Sequence, residues 1–578
     1  MNQNQTARRL IGLAATGTLA LGLSLIGPAA YASSTPSVPI VNQTTGSLHI
    51  TKLASSPSTQ PGTGAPASVS NTPIQGVTFT VSPVMLNASA IDLSTDQGWA
   101  DAAALSALDD TPQPGDFAPG GALAAAGYTL SSLGSLTCTT DQTGVCTNSA
   151  FDTLPLGLYY VVETIGGATH PAGAVPGDPF LVTVPMTDPA SHNDWVYDIY
   201  VYPKNDIVKV FKAVDTSDTI TVGDPIVYTI IGDLPLNLTA NGDGTSSLAT
   251  IRGYEIDDLL DPALDVTNAT TDPTAIVVTL TDGTPFTLGT TPGDGDYNIT
   301  IANGNTIQIV WTADGLTKLN QAAAANDATL QQGNIASCES DPVTGISDDC
   351  LQVQVVINAT VNGHLNTNGA NSGTGLITNT ATLYPDVAKT GGFSATVTSY
   401  FGGIDLHKAN SNTGALLSGA QFQIFATSAD ALAQSNPIKA QKADGTVATD
   451  GIFITGSDGI YGDAGSVGIL GLNYDTSTTC VTDDGTTVPG TSYWVVETQA
   501  PNGYELLTKP VEVCLSGVLD ATGGSYDDVY LTNSPALAGF QMPFTGLFGN
   551  NLPIYVGLLI LAVGGVAIAR NRRQQTAK

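Results

Sequence analysis

The chain has 578 residues, too many for one hydrophobic core, and carries 17 Lys+Arg against 50 Asp+Glu. Abundant Thr, Val, Gly and Pro with few helix-forming stretches predict an all-β architecture, and the formal charge of −33 repels nucleic acid and anionic lipid as partners. No GxSxG, HExxH or P-loop pattern occurs, so the sequence offers no recognisable enzyme, cofactor or metal centre.

At the N-terminus Arg8 and Arg9 precede an apolar stretch, residues 10–26, then Gly27, Pro28, and Ala30, Tyr31, Ala32. This pattern predicts a secretory signal, residues 1–32, cut after Ala32. Residues 33–46, rich in Ser, Thr and Pro, read as a flexible leader. Next comes Ser47-Leu48-His49-Ile50-Thr51-Lys52, an opening repeated as Ile207-Val208-Lys209-Val210-Phe211-Lys212 and Ile404-Asp405-Leu406-His407-Lys408. Strand alternation aligns Leu48, Ile50 and Lys52 on one face, and likewise Val208, Val210 and Lys212, and Ile404, Leu406 and Lys408. A lysine on an apolar face is costly unless something compensates it. Lys209 rivals Lys212, because its face is also partly apolar.

Residues 98–108 predict a helical insertion, and residues 115–134 a surface loop able to carry binding contacts. Tyr159, Val161 and Glu163 alternate inward on a strand. In the run 195–205, Trp195, Tyr197, Ile199 and Val201 form one face, and Asp198, Tyr200, Tyr202 and Lys204 the other. Lys204 therefore points to solvent after the rigid Pro203, while Asn205 turns inward. In the second segment the inward acid is Asp258, and Ile377, Asn379, Ala381 and Leu383 share a face. The Asp-Gly clusters at 242–244 and 293–296 read as turns, since EF-hand spacing is not met. Residues 316–330 predict a second helical insertion. In the third segment Tyr493, Val495 and Glu497 face inward, as do Val529, Leu531 and Asn533.

The six cysteines form near neighbours, Cys138 with Cys146, Cys338 with Cys350 and Cys480 with Cys514, one pair per segment. In a secreted chain this reads as three disulfides, other connectivities remaining formally open. The linker 536–541 leads to Met542-Pro543-Phe544-Thr545-Gly546, an apolar run at 552–569, and Arg570, Arg572 and Arg573. The run is long enough to span a bilayer with its basic end inside. Cutting both ends removes six of the 17 Lys+Arg and none of the 50 Asp+Glu, leaving a net charge of about −39.

Each inward lysine thus has an inward acid and asparagine in its own segment: Lys52, Glu163 and Asn205; Lys212, Asp258 and Asn379; Lys408, Glu497 and Asn533. Burial lowers the proton affinity of the amine and raises that of the acid. The protonated carboxyl can then polarise the amide and shuttle protons while the amine displaces ammonia. The bland alternative is a satisfied buried ion pair with an amide neighbour.

Several motifs resemble those of sortase-assembled Gram-positive pilins. Met542 to Gly546, with the apolar run and basic end, resembles the LPXTG-type sorting signal, with Met542 in place of the usual Leu. Glu497-Thr498-Gln499-Ala500-Pro501-Asn502-Gly503-Tyr504 resembles the E-box, and Val201-Tyr202-Pro203-Lys204 the pilin motif. Gly414, Leu417, Gly419, Ala420 and Phe422 are similar to the opening of a CnaB-type domain, and Ile256, Asp258 and Leu260 with 377–381 to a CnaA-type domain. The first segment lacks the Ala-Pro-x-Gly-Tyr continuation after Glu163 and Thr164.

The resemblance implies three tandem Ig-like β-sandwich domains in an elongated rod: 47–205 with the pilin motif, 206–400 of CnaA type and 401–535 of CnaB type, followed by the tail 536–578. It implies a shaft-forming subunit, not an enzyme, joined head to tail by a pilin-specific sortase through Thr545 and Lys204 and cross-linked internally by Lys–Asn isopeptide bonds. Further expected partners are a housekeeping sortase, peptidoglycan, identical subunits, tip or base pilins, and a host glycan or matrix receptor. The expected location is a fimbria anchored to the wall of a Gram-positive cell. The alternatives are a monomeric wall-anchored adhesin, which has no use for Lys204, and a minor tip or base pilin.

Overall fold

A computed structural model describes residues 41–536, except 55–62, 69–70, 110–111, 132–133, 166–168, 172–173, 237, 241–245, 331–344, 347–350, 367–374, 388, 390–391, 461, 483 and 518–525, together with helical positions 558, 559, 561–563 and 566. The signal 1–32, most of the leader, Cys338, Cys350, Met542 to Gly546 and most of the expected membrane span lie outside the described residues. Among those described, no helix is long and apolar enough to cross a membrane.

The fold is built from β-sandwiches, as composition and alternation predict. In the first, Thr45–Thr51 runs parallel to Asp198–Val201, with Leu48 opposite Ile199, and antiparallel to Val145–Cys146 and Leu154–Pro155. Just beyond, Leu53–Ala54 pairs in parallel with Lys204–Asn205. The opposing sheet centres on Val77–Leu86 and Gly157–Ile165, with Phe180–Val184 at its side. Leu48, Ile50, Phe79, Val161 and Ile199 fill the space between. The leader's end is fastened rather than loose: Val41 packs on this core, and the Asn42 backbone N–H donates to Tyr197 Oη at 3.1 Å.

The stretch expected to be a surface loop, 115–134, is not one. It holds a 3₁₀ turn, Pro114–Phe117, a short helix, Ala122–Ala125, and a strand, Tyr128–Leu130. Phe117, Leu123 and Tyr128 meet Leu105 of the helix Asp96–Leu108 and Tyr160 in a second core. Gly and Ala dominate the sequence there, and they hide three well-spaced apolar anchors. The two helical insertions do form, as Asp96–Leu108 and Ala313–Leu330.

In the middle sandwich, Val210–Asp215, Pro225–Asp233 and Gln352–Val361 form one sheet. Glu255–Leu259, Thr306–Trp311 and Leu376–Tyr384 belong to the other. Its last strand, Phe393–Asn410, is 18 residues long and passes through the expected boundary at 400/401. Its first half pairs with Leu376–Tyr384; its second half pairs with Ser466–Asn473 and, in parallel, with Asp527–Asn533. Facing this in the third sandwich are Gln421–Phe425, Thr491–Gln499 and Val511–Leu515, with Ile404, Leu406, Phe422, Val495 and Val529 in the core between.

Candidate functional site

Three buried clusters collect the lysines, acids and asparagines singled out in the sequence. In the first sandwich Lys52 and Asn205 are wholly buried and Glu163 nearly so. The parallel pairing of Leu53–Ala54 with Lys204–Asn205 brings the lysine beside the asparagine, and Glu163 reaches them from the opposing sheet. Lys52 Nζ donates to Glu163 Oε2 at 2.6 Å and to Asn205 Oδ1, and Asn205 Nδ2 donates to Glu163 Oε1. Glu163 and Gly177 also line a cavity of about 470 Å³ that reaches Arg252 and Pro385.

The third sandwich repeats this geometry. Lys408 Nζ donates to Asn533 Oδ1 and lies 3.2 Å from Glu497 Oε1. Asn533 Nδ2 donates to both Glu497 oxygens, at 2.8 and 3.0 Å, and the Leu507 backbone N–H donates to Glu497 Oε2 at 2.8 Å. All three side chains are buried.

In the middle sandwich Lys212 contacts Asp258 Oδ2 directly, and both are buried together with Asn379. Lys209 is exposed, so its rivalry with Lys212 ends. Asp258 lies directly across from Ala381, which places Asn379 diagonally from it. Asn379 is near enough to favour the ionised form of Asp258, yet neither of its amide atoms completes a hydrogen bond of good geometry among the described residues.

Burial lowers the proton affinity of all three lysines, opposed in each case by the neighbouring carboxylate. Burial also raises that of Asp258, opposed by Lys212. A feature missed in the sequence is an aromatic ring over each amine: Phe79 at 5.8 Å, Tyr228 at 5.2 Å and Phe422 at 5.5 Å. Phe79 and Phe422 stand at inward positions of the opposing sheet, and Tyr228 on the strand paired with that of Lys212, so alternation holds the signal, but nothing in it ties the ring to the lysine. Together these features give a poorly hydrated amine against an amide, with an acid able to carry protons between them.

Lys204 is partly buried rather than turned fully to solvent. Its backbone is held by the pairing with Leu53, and partial burial lowers its proton affinity too. Nearby, Tyr200 stacks on His49 with centroids 4.3 Å apart, and Tyr202 Oη accepts from the Ala67 backbone N–H at 2.8 Å. Disulfides join Cys138 to Cys146 and Cys480 to Cys514, each with Cα atoms 5.4 Å apart.

Residues 43–206 match the family model for the Gram-positive pilin subunit D1, N-terminal domain, and residues 402–523 that for a prealbumin-like fold domain. Fimbrial subunit type 1 of Actinomyces viscosus is 28% identical over 604 residues, covering 99% of this chain and 99% of that protein. The chain thus carries a domain like that of Gram-positive pilin subunits and resembles a fimbrial subunit over nearly its whole length. Fimbrial subunit type 2 of Actinomyces naeslundii is likewise 28% identical over 583 residues, covering 97% of this chain and 96% of that protein. The structure of the major pilin SpaA from Corynebacterium diphtheriae, 22% identical, covers 85% of this chain and 100% of its own, with a TM-score of 0.50, a likeness of fold. Both relatives are fimbrial subunits, structural proteins rather than enzymes.

Proposed function

We propose that this chain is a pilin, the shaft-forming subunit of a covalent fimbria, and that each sandwich closes one Lys–Asn isopeptide bond. The observation that carries the reading is the direct contact of a buried lysine with both a buried asparagine and a buried acid, in the first and third sandwiches alike. The Lys Nζ lone pair attacks Asn Cγ. The acid donates a proton to the departing amide nitrogen and takes up the one lost by the amine. The C–N bond to ammonia breaks as the C–Nζ bond forms, and no oxidant is involved. In the Corynebacterium diphtheriae pilin, stabilising isopeptide bonds belong to a modular pilus assembly, which supports the same role here.

Between subunits, the Lys204 amine takes the Thr545 acyl group from a pilin-specific sortase. Repetition of this head-to-tail step gives an open filament, which a housekeeping sortase passes to peptidoglycan. The partial burial that lowers the proton affinity of Lys204 favours this nucleophile over the exposed lysines. Immunoblots of cell-wall extracts boiled in SDS and reductant test the reading. Wild type gives a high-mass ladder, and Lys204→Ala collapses it to monomer. A ladder that survives moves the acceptor to another lysine, and monomer in both strains favours a wall-anchored adhesin.

A further inference from the structure

On the outer face of the third sandwich, opposite Lys408, stand Asp405 and His407 of Phe393–Asn410 and Asp528 of Asp527–Asn533. Outward residues of a sheet are normally wet, but Asp405 is 0% and His407 2% exposed. Chain folds over them: a Cβ on Gly459 would come within 3.1 Å of Asp405 Oδ1, and Tyr530 stacks on the imidazole with centroids 4.4 Å apart and planes 10° from parallel. His407 Nε2 lies 3.4 Å from Asp528 Oδ1 and 3.7 Å from Asp405 Oδ2, and one donor atom from each residue falls within 4.8 Å of the others.

The 3.4 Å contact is a long hydrogen bond, and both spacings exceed the about 2.7–2.9 Å to which charge-assisted pairs close. They suit ligands around a cation: atoms about 2.1 Å from a tetrahedral zinc stand roughly 3.4 Å from one another. The first sandwich supplies an internal control built on the same register. There Ser47 pairs with Asp198 and His49 with Tyr200, just as Asp405 pairs with Asp528 and His407 with Tyr530. His49 stacks on Tyr200 as His407 does on Tyr530. With a hydroxyl in place of the carboxylate, Ser47 Oγ donates to Asp198 Oδ1 at 2.7 Å and meets His49 Nε2 at 3.0 Å. There the groups close to direct hydrogen bonds, whereas the corresponding groups of the third sandwich stand 3.4 and 3.7 Å apart.

We propose that Asp405, His407 and Asp528 bind a divalent transition cation of the zinc type. One imidazole and two carboxylates are a donor set of zinc rather than of calcium, which takes six or more oxygens. Asp528, with its side chain 51% exposed, is the ligand at the mouth, and the remaining position is open to water. The cation ties the first and last strands of the third sandwich from the face opposite Lys408 and Asn533.

Equilibrium dialysis of the full secreted chain tests this, after chelator treatment, with Zn²⁺ offered in excess Mg²⁺. The expected result is one zinc per chain. Asp528→Asn, at an exposed position that leaves the fold intact by near-ultraviolet circular dichroism, weakens binding about tenfold or more. His407→Gln does the same, and His49→Gln leaves binding unchanged. Co²⁺ in place of Zn²⁺ gives visible absorption that Asp528→Asn abolishes. No zinc retained over magnesium overturns the proposal, and so does retention that survives both Asp528→Asn and His407→Gln.

Discussion

The outer two triads and the middle one use the same three functional groups but assign them differently to the two sheets. In the first and third sandwiches, lysine and asparagine come from neighbouring parallel strands, and glutamate reaches across the core. In the middle sandwich, the acid and asparagine share one sheet, on Glu255–Leu259 and Leu376–Tyr384, and the lysine reaches across from Val210–Asp215. The choice of acid follows from this. A carboxyl that must cross between sheets about 10 Å apart needs the longer glutamate, and one already beside its asparagine needs only aspartate. Cross-links formed as proposed would differ mechanically: the outer two would staple adjacent strands of one sheet, and the middle one sheet to sheet.

The largest effect expected comes from removing a crossing acid. Glu497→Ala leaves Lys408 and Asn533 unjoined, and intact mass rises by about 17 Da relative to the cross-linked protein after allowing for the substitution, the mass of the ammonia retained. The lost link spans 125 residues of sequence. By the chain-entropy model for a covalent cross-link this costs about 5 kcal/mol, or roughly 20 °C in the melting of that sandwich. An unchanged bond count would remove Glu497 from the chemistry.

A finer cut is to exchange the acids. Glu497→Asp shortens the side chain by about 1.5 Å, one carbon–carbon bond, across a gap that the glutamate spans. We expect the bond to form incompletely, leaving a mixed population resolved by mass. Asp258→Glu overfills a closed site instead, at a cost of about 1–3 kcal/mol. If Glu497→Asp cross-links fully, acid length does not follow from sheet placement, and the comparison fails.

A smaller effect appears in pH. Asn533→Ala leaves Lys408 buried and unjoined, with its proton affinity lowered by burial against the opposing pull of Glu497. From that lowered value up to the ordinary lysine pKa of about 10.4, the unfolded chain binds more protons than the folded one, so stability rises with pH. The urea midpoint of Asn533→Ala should climb as pH approaches about 10 more steeply than that of wild type, whose lysine, joined as proposed, does not titrate. Equal slopes would mean that the amine does not feel its burial.

Much of this was legible in the sequence because strand alternation is a period-two code. It placed Leu48, Ile50 and Lys52 on one face, and Val529, Leu531 and Asn533 on another, and these faces are buried as read. Alternation gives no information about which sheet a strand joins, so the exchanged roles in the middle triad were not legible. Nor was the second core around Leu105, Phe117 and Leu123, whose anchors lie on a helix, a 3₁₀ turn and a four-residue helix with no common period. Lys204 shows the same limit: its face was read from its own strand, and its partial burial depends on neighbours that the strand does not name.

The smallest effect concerns the ring over each amine. The outer lysines lie over Phe79 and Phe422 and the middle one over Tyr228, whose buried hydroxyl completes no hydrogen bond of good geometry among the described residues. Burial holds the proton on that hydroxyl far above the ordinary tyrosine range, so it is no proton carrier at neutral pH. If the ring's task in all three sandwiches is to exclude water from the amine, the hydroxyl is dispensable. Tyr228→Phe should then leave the mass of the mature chain reduced by the oxygen alone, with the Lys212–Asn379 bond intact and stability within about 1 kcal/mol of wild type. Retention of the ammonia mass in this variant would give the middle triad a fourth member and set its chemistry apart from that of the outer two.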